Sequence, residues 1–150
     1  MTDIKLVSLH KHWITADSLD YHLRRSLKLP QENHMQGSVE LFEMSKIMSS
    51  FAVLSVIYSL IYVVVEGYQE LNLKDKNVDD LLSKTDFVAH LKRFRNTTFH
   101  YQKNPLSEKM LQFISAYQSE VWVRQLNSAL KRFFERELNL AEMLANLKPR

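Results

Sequence analysis

The stretch of this chain best supplied for chemistry is Lys92-Arg93-Phe94-Arg95-Asn96-Thr97-Thr98-Phe99-His100-Tyr101. Arginine offers a planar fork of donors that matches phosphate oxygens. A histidine takes or gives a proton near neutral pH, and an asparagine amide orients either group. No acid lies between Asp86 and Glu108, whereas Lys92, Arg93, Arg95, Lys103, His90 and His100 all fall there. The preceding stretch, Glu66 to Asp86, carries six acids against three lysines. Charge is therefore segregated along the chain, and one segment holds most of a positive surface. These are the parts needed to cleave RNA without a metal. A base removes the 2′-OH proton, the oxygen attacks the adjacent phosphorus, and the cation stabilises the charge that develops. No DxD, HExxH or cysteine–histidine cluster supplies a metal centre instead, so neither a metal nor another cofactor is expected. By residue type alone, a solvated basic face is the simpler reading of the same residues.

Thr85 or Asp86 is the expected cap of the helix that carries this stretch, and Asn104-Pro105 its expected end. At about 100° per residue, Phe87, Leu91, Phe94, Thr98 and Tyr101 cluster within about 80° and form the expected buried face. Asn96 and His100, four apart, lie one above the other, and Lys92 and Lys103 extend that stripe. Arg95 and His100 diverge by roughly 140° on an ideal helix and flank the stripe. A second copy of the helix, facing the first, would bring them together.

The remaining elements read as helices too. A first helix spans about 3–28, with Asp17, Ser18 or Asp20 available to cap a turn ahead of Tyr21, and Leu29-Pro30 ends it. Gln31 to Gly37 is the loop, and Ser38 caps a second helix of some thirty residues reaching Leu71. The run Val63-Val64-Val65 favours strand locally, but packing within a helical pattern overrides that preference. Asn77-Val-Asp-Asp-Leu-Leu reads as a short capped helix with Asp79 and Asp80 in its positive first turn. Ser107 caps a last long stretch, either one bent helix or two. There Met110, Ile114, Tyr117 and Val121 hand over to Trp122, Leu126, Leu130, Phe133 and Phe134. The expected fold is a single all-α domain over 1–150, an up-and-down four-helix bundle with an additional short helix.

Composition agrees with that reading. The 150 residues include 2 glycines and 3 prolines, where an average chain carries roughly 12% of the two together. Sandwiches, Rossmann folds and glycine-rich phosphate loops need more positive-φ turns than this supply allows. Net charge is +3, which permits an anionic partner without requiring one. The absence of cysteine excludes disulfides, thiolate zinc sites and a cysteine nucleophile. The N-terminal residues show no signal-peptide pattern, and a cytoplasmic location is expected. The uncharged stretch from Ile47 to Val65 is long enough to cross a bilayer of about 30 Å. Serines and tyrosines interrupt it, and amphipathic helices lie on both sides. A central helix covered by its neighbours is therefore expected, with no membrane partner; a membrane-associated protein is the third and weakest reading.

Arg95-Asn96-Thr97-Thr98-Phe99-His100 resembles the Arg-Asn-x-x-x-His motif of the HEPN superfamily (higher eukaryotes and prokaryotes nucleotide-binding). The surroundings are similar as well. An apolar helix ending Val-Val-Val-Glu66-Gly67-Tyr68 precedes a short acidic helix, the motif helix and a long closing helix, so the likeness covers about 38–138. The resemblance implies a helical bundle that dimerises with its motif helices facing. It implies a metal-independent endoribonuclease of a defence or toxin–antitoxin setting, or else an inactive module binding nucleotide, nucleic acid or protein. It makes Arg95 and His100 the catalytic pair and Asn96 the orienting residue. Glu66, or failing it Glu70, becomes the polar support that the preceding helix gives the arginine, although a helix-end surface carboxylate explains Glu66 equally well. Lys92, Arg93 and Lys103 are the expected RNA-binding residues. In members silenced by nucleotidylation a tyrosine stands two positions after the histidine; here that position is Gln102, so a nucleotidyltransferase antitoxin is not implied and any regulatory partner is unknown.

Other features read as structural. His10 and His12 share a face only on a strand, which argues against a metal pair. Trp13, Trp122, Phe133 and Phe134 read as core and not as base-stacking groups. Lys131, Arg132 and Arg136 read as a solvated stripe in preference to an RNA path.

Overall fold

The computed structural model describes residues 3–28, 39–103 and 107–142, with the backbone only for Lys28 and 39–44. All regular structure among these residues is helical: α1 (Ile4–Lys28), α2 (Val39–Glu70), α3 (Lys76–Leu82), α4 (Thr85–Phe99), α5 (Glu108–Ser115) and α6 (Tyr117–Glu137), followed by a single turn at 140–142. The expected signals at Leu29-Pro30, Gln31 to Gly37, Ser38 and Asn104-Pro105 lie outside the described residues.

Each helix turns one apolar stripe inward. Leu6, Leu9, Trp13 and Ala16 of α1 meet Ile57, Ile61, Val64, Val65 and Tyr68 of α2. The opposite side of α2 receives Leu91 and Phe94 of α4, and α6 closes the core with Trp122, Leu126, Leu130, Phe133 and Phe134. Val64 and Val65 are fully buried inside α2, so burial of their branched side chains outweighs the local strand preference. At Gly67 a Cβ atom would stand 2.5 Å from Leu9 Cδ1. Glycine is what lets α1 cross α2 this closely. Within a turn of the crossing α2 ends at Glu70, and Asn72 two residues on has a left-handed φ of 53°, a conformation asparagine tolerates beyond a helix end.

Several local expectations are corrected. Asp17, Ser18 and Asp20 cap nothing, because α1 runs through them unbroken. Asp17 accepts instead from Asn127 Nδ2 (2.9 Å), and Asp20 pairs with Arg24 (2.7 Å). The cap of α3 is Asp75, two residues before Asn77; its carboxylate accepts from the N–H groups of Asn77 and Val78. Neither Thr85 nor Asp86 caps α4. Lys84 alone separates α4 from the turn at Ser83, so Thr85 is already helical and the N-cap residue, Lys84, has no capping side chain. Ser107 does cap, accepting from Met110 N (3.2 Å). The stretch after it is two helices, broken at the extended Ala116. That break turns α6 about its axis, so Tyr117 points outward at 78% exposure while Trp122 is buried.

Among the described residues, one helix is long and apolar enough to cross a membrane by length and composition, the Ser45–Glu70 part of α2. Its second half is flanked by α1 and α4, but Ile47 and Met48 near its start are exposed. The cover expected on all sides is not reached: beyond Ile57, Leu60 and Val63 are only half-buried, and Gln69 and Glu70 are exposed.

Candidate functional site

The site is built where α2 and α4 lie side by side. Phe94 of α4 is fully buried, packed edge-on against Tyr58 with centroids 5.2 Å apart. This anchor fixes the helix so that the next residue, Arg95, lies over α2. Arg95 Nη2 donates to Glu66 Oε1 at 3.1 Å, and its guanidinium carbon stands 5.3 Å from the ring centroid of Tyr62. Tyr62 and Glu66 are four apart on α2 and therefore adjacent on one face. Together they hold the guanidinium by a ring face and by one edge. The Arg95 side chain is 26% exposed and that of Glu66 40%. Arg95 Nε is buried with no hydrogen-bond partner among the described residues. Leaving such a donor unpaired costs about 1–3 kcal/mol, so the pair and the ring must hold the side chain against that cost.

Glu70, the other candidate support, is exposed and makes no contact with Arg95; Glu66 is nearer by one turn. Asn96 is half-buried beside Arg95, and its side chain takes no hydrogen bond among the described residues. Lys92, Arg93 and Lys103 are exposed and in no ion pair there. His100 is exposed too, but its backbone differs from the expectation. α4 ends at Phe99, and His100 is its C-cap, extended at φ −121° and ψ 139°, with its N–H donating to Asn96 O. The ideal 140° between Arg95 and His100 does not apply, since His100 is no longer helical. For the same reason Tyr101 is not on a buried face. It is 93% exposed, and Phe99 at the last helical position is 55% exposed.

His10 and His90 are packing groups, whereas His12 and His22 are exposed. His10 stacks on Trp13 (5.6 Å, 18°) and touches Phe134, and its Nε2 is buried without a partner. Burial lowers its pKa. His90 stacks on Phe113 at 5.0 Å; burial first, then the Arg93 and Lys109 charges, outweigh Asp86 and lower its pKa. His90 is therefore less of a cation than the sequence suggests. No group of three metal-binding side chains occurs among the described residues. Trp13 and Trp122 are core residues, their indole N–H groups donating to Asn127 Oδ1 (2.8 Å) and Leu81 O (3.0 Å). Of the α6 cations, Lys131 pairs with Glu135, and Arg136 with Asp75 and Glu137.

A cavity of about 650 Å³ lies elsewhere, between α1, α2, α5 and α6. It is walled by Leu23, Phe51, Leu54, Ile57 and Val123, and its arginines, Arg24 and Arg124, are already paired with Asp20 and Glu120. Burial, with those two carboxylates nearby, pushes the Tyr58 phenol up to about 12. That cavity offers no spare cation for a phosphate. Tyr62 is the residue of the Arg95 site that sequence reasoning missed. The available signal was its spacing, one turn before Glu66 on the apolar helix.

A comparison of the chain with known protein families, with curated proteins and with solved structures finds no match in any of the three. Fold and site together describe an all-helical protein with a half-buried arginine, braced by Tyr62 and Glu66, within a segment that carries no acid of its own.

Proposed function

We propose that the protein is a metal-independent endoribonuclease acting on RNA by 2′-OH attack. In this reading the finer architecture is an HEPN-like up-and-down four-helix bundle with a short extra helix. The observation that carries it is the bracing of Arg95. Tyr62 and Glu66 fix one face and one edge of the guanidinium, and with Nε buried the Nη donors not facing Glu66 are the ones left for a phosphate. Donors fixed before the reaction stabilise developing charge without reorganising during it. His100, one residue past the end of the same helix, serves as the proton-transfer group, and Asn96 orients one of the two. Lys92, Arg93 and Lys103 hold the flanking phosphates. The 2′-oxygen bonds to phosphorus as the bond to the 5′-oxygen breaks. Proton removal from the 2′-OH balances protonation of the leaving oxygen, and the product end is a 2′,3′-cyclic phosphate.

The protein would act as a homodimer with its motif helices facing, in the cytoplasm, in a defence or toxin–antitoxin setting under a regulator yet to be identified. One observation favours a second reading, a non-catalytic module for nucleotide, nucleic acid or protein: Glu66 already occupies one edge of Arg95. The test separates the two. Purified protein should cut RNA in EDTA and leave 2′,3′-cyclic phosphate ends, and Arg95→Ala and His100→Ala should each abolish cutting at a temperature where circular dichroism shows the helical fold retained. Cutting that survives both substitutions, or no cutting by the wild type, refutes the nuclease reading.

A further inference from the structure

We propose that Phe99 and Tyr101 form a base-stacking subsite beside Arg95 and His100, so that this protein takes RNA whose bases next to the reacting phosphate are unpaired. The inference rests on the RNA reading above and adds to it where the base goes.

Three observations carry it. First, Phe99 and Tyr101 are 55% and 93% exposed, whereas Tyr58, Tyr62, Tyr68, Phe94 and Phe113 are buried. Among the described residues Tyr21 and Tyr117 are exposed singly, and only Phe99 and Tyr101 set two exposed rings on either side of one residue. Second, the rings follow the cations in register. At about 100° per residue, Lys92, Arg95, Asn96 and Phe99 fall within about 100° of one another on α4, with Phe99 one turn beyond Arg95. The extended backbone at His100 then carries the chain off the helix end, with Tyr101 and Lys103 exposed along it. Phosphate-binding groups and π-faces thus alternate along one path.

Third, the charge around the rings chooses between partners. The acid-free segment supplies Lys92, Arg93 and Lys103, all exposed and in no ion pair among the described residues. An apolar protein surface docking on these rings would bury those cations without compensation, whereas a nucleic-acid strand supplies both phosphates and flat bases. Stacking on aromatic rings needs the base free of its partner, because a duplex hides the faces.

The test uses the full chain and an oligoribonucleotide with every 2′-OH methylated, so that it binds without being cut, and with one 2-aminopurine as reporter. The single strand should bind, with the reporter's fluorescence quenched, and the matching duplex should bind more weakly. Phe99→Ser and Tyr101→Ser should each weaken single-strand binding about tenfold and lessen the quench. Tyr117→Ser, at an exposed tyrosine on α6, should change neither. Circular dichroism melts confirm that the variants fold. Unchanged affinity and quench in both aromatic variants overturns the subsite, even if the wild type cuts RNA. Light scattering that shows a wild-type dimer becoming monomeric in the variants, with RNA binding intact, overturns it in favour of a self-association surface. If the strand binds and stacks as described but unmodified RNA is never cut, the subsite stands and the nuclease reading alone falls.

Discussion

Replacing Tyr62 by leucine probes the bracing of Arg95 directly. The Tyr62 ring is buried, and the guanidinium carbon lies 5.3 Å from its centroid. A cation over a ring contributes about 0.5–1 kcal/mol when exposed and about 2 when desolvated. Arg95 is 26% exposed, which puts this contact at about 1–1.5 kcal/mol. The volume lost from tyrosine to leucine in a closed packing site adds about 1 kcal/mol. Tyr62→Leu should therefore lower unfolding free energy by about 2–3 kcal/mol, read from urea midpoints at an unchanged slope. The Tyr62 hydroxyl donates to no described residue, so Tyr62→Phe, which keeps the ring face, should stay within about 0.5 kcal/mol of wild type. A structural effect alone would stop there. The side-chain Nε–H signal of Arg95 should be resolved and protected from exchange in the wild type and in Tyr62→Phe, and lost in Tyr62→Leu. RNA cutting at a temperature where all three are folded should fall ten- to a hundredfold in Tyr62→Leu only, the scale of a misplaced catalytic group. If the leucine variant matches the phenylalanine variant in stability, Nε–H protection and cutting, the ring does not hold the arginine and the argument for its readiness collapses.

Two further outcomes follow from the geometry. Burial by itself would raise the Asp75 pKa, but donation from Val78, the Arg136 guanidinium and the Asn77 N–H more than offsets this and lowers it. A depressed carboxyl stabilises the fold above its unfolded value, near 3.9, and ceases to as pH falls through the lower folded value. Asp75→Ala should cost about 1–2 kcal/mol at pH 7, and its deficit should shrink towards pH 2–3 in denaturant melts; a deficit constant with pH would contradict the cap. His10 behaves in the opposite sense. With its pKa lowered by burial, the unfolded chain binds the proton first, so stability falls as pH drops below about 6.5. His10→Phe should flatten the slope of melting temperature between about pH 7 and 5, leaving what His90 contributes; an unaltered slope would show that His10 is solvated in the folded protein.

Some of this was legible because it depends on neighbours in sequence. α1 and α2 run close to the expected spans, about 3–28 and some thirty residues reaching Leu71, since nothing inside either breaks the helical pattern, and Trp122, Leu126, Leu130 and Phe133 fall on the buried stripe that their spacing implies. Glu66, which only the resemblance offered as a support for the arginine, with Glu70 as the alternative, is the carboxylate that meets Arg95. Helix ends were less legible. Nothing between Phe99 and Lys103 marks a stop, so periodicity carried Tyr101 onto a buried face that the chain has already left. At Ala116 an ordinary helix former breaks the last helix, because α5 and α6 must each lay a stripe on the core at a different angle.

The sequence by itself determined that the chain is helical, with a positive segment and its arginine, asparagine and histidine in fixed order, since period and charge are properties of one strand of residues. Tertiary structure alone decided what the arginine rests on. Tyr62 and Arg95 are far apart along the chain and meet where Phe94, packed on Tyr58, sets how α4 lies against α2. Close packing between helices, which no local pattern encodes, is what turns a common basic stretch into an oriented cation.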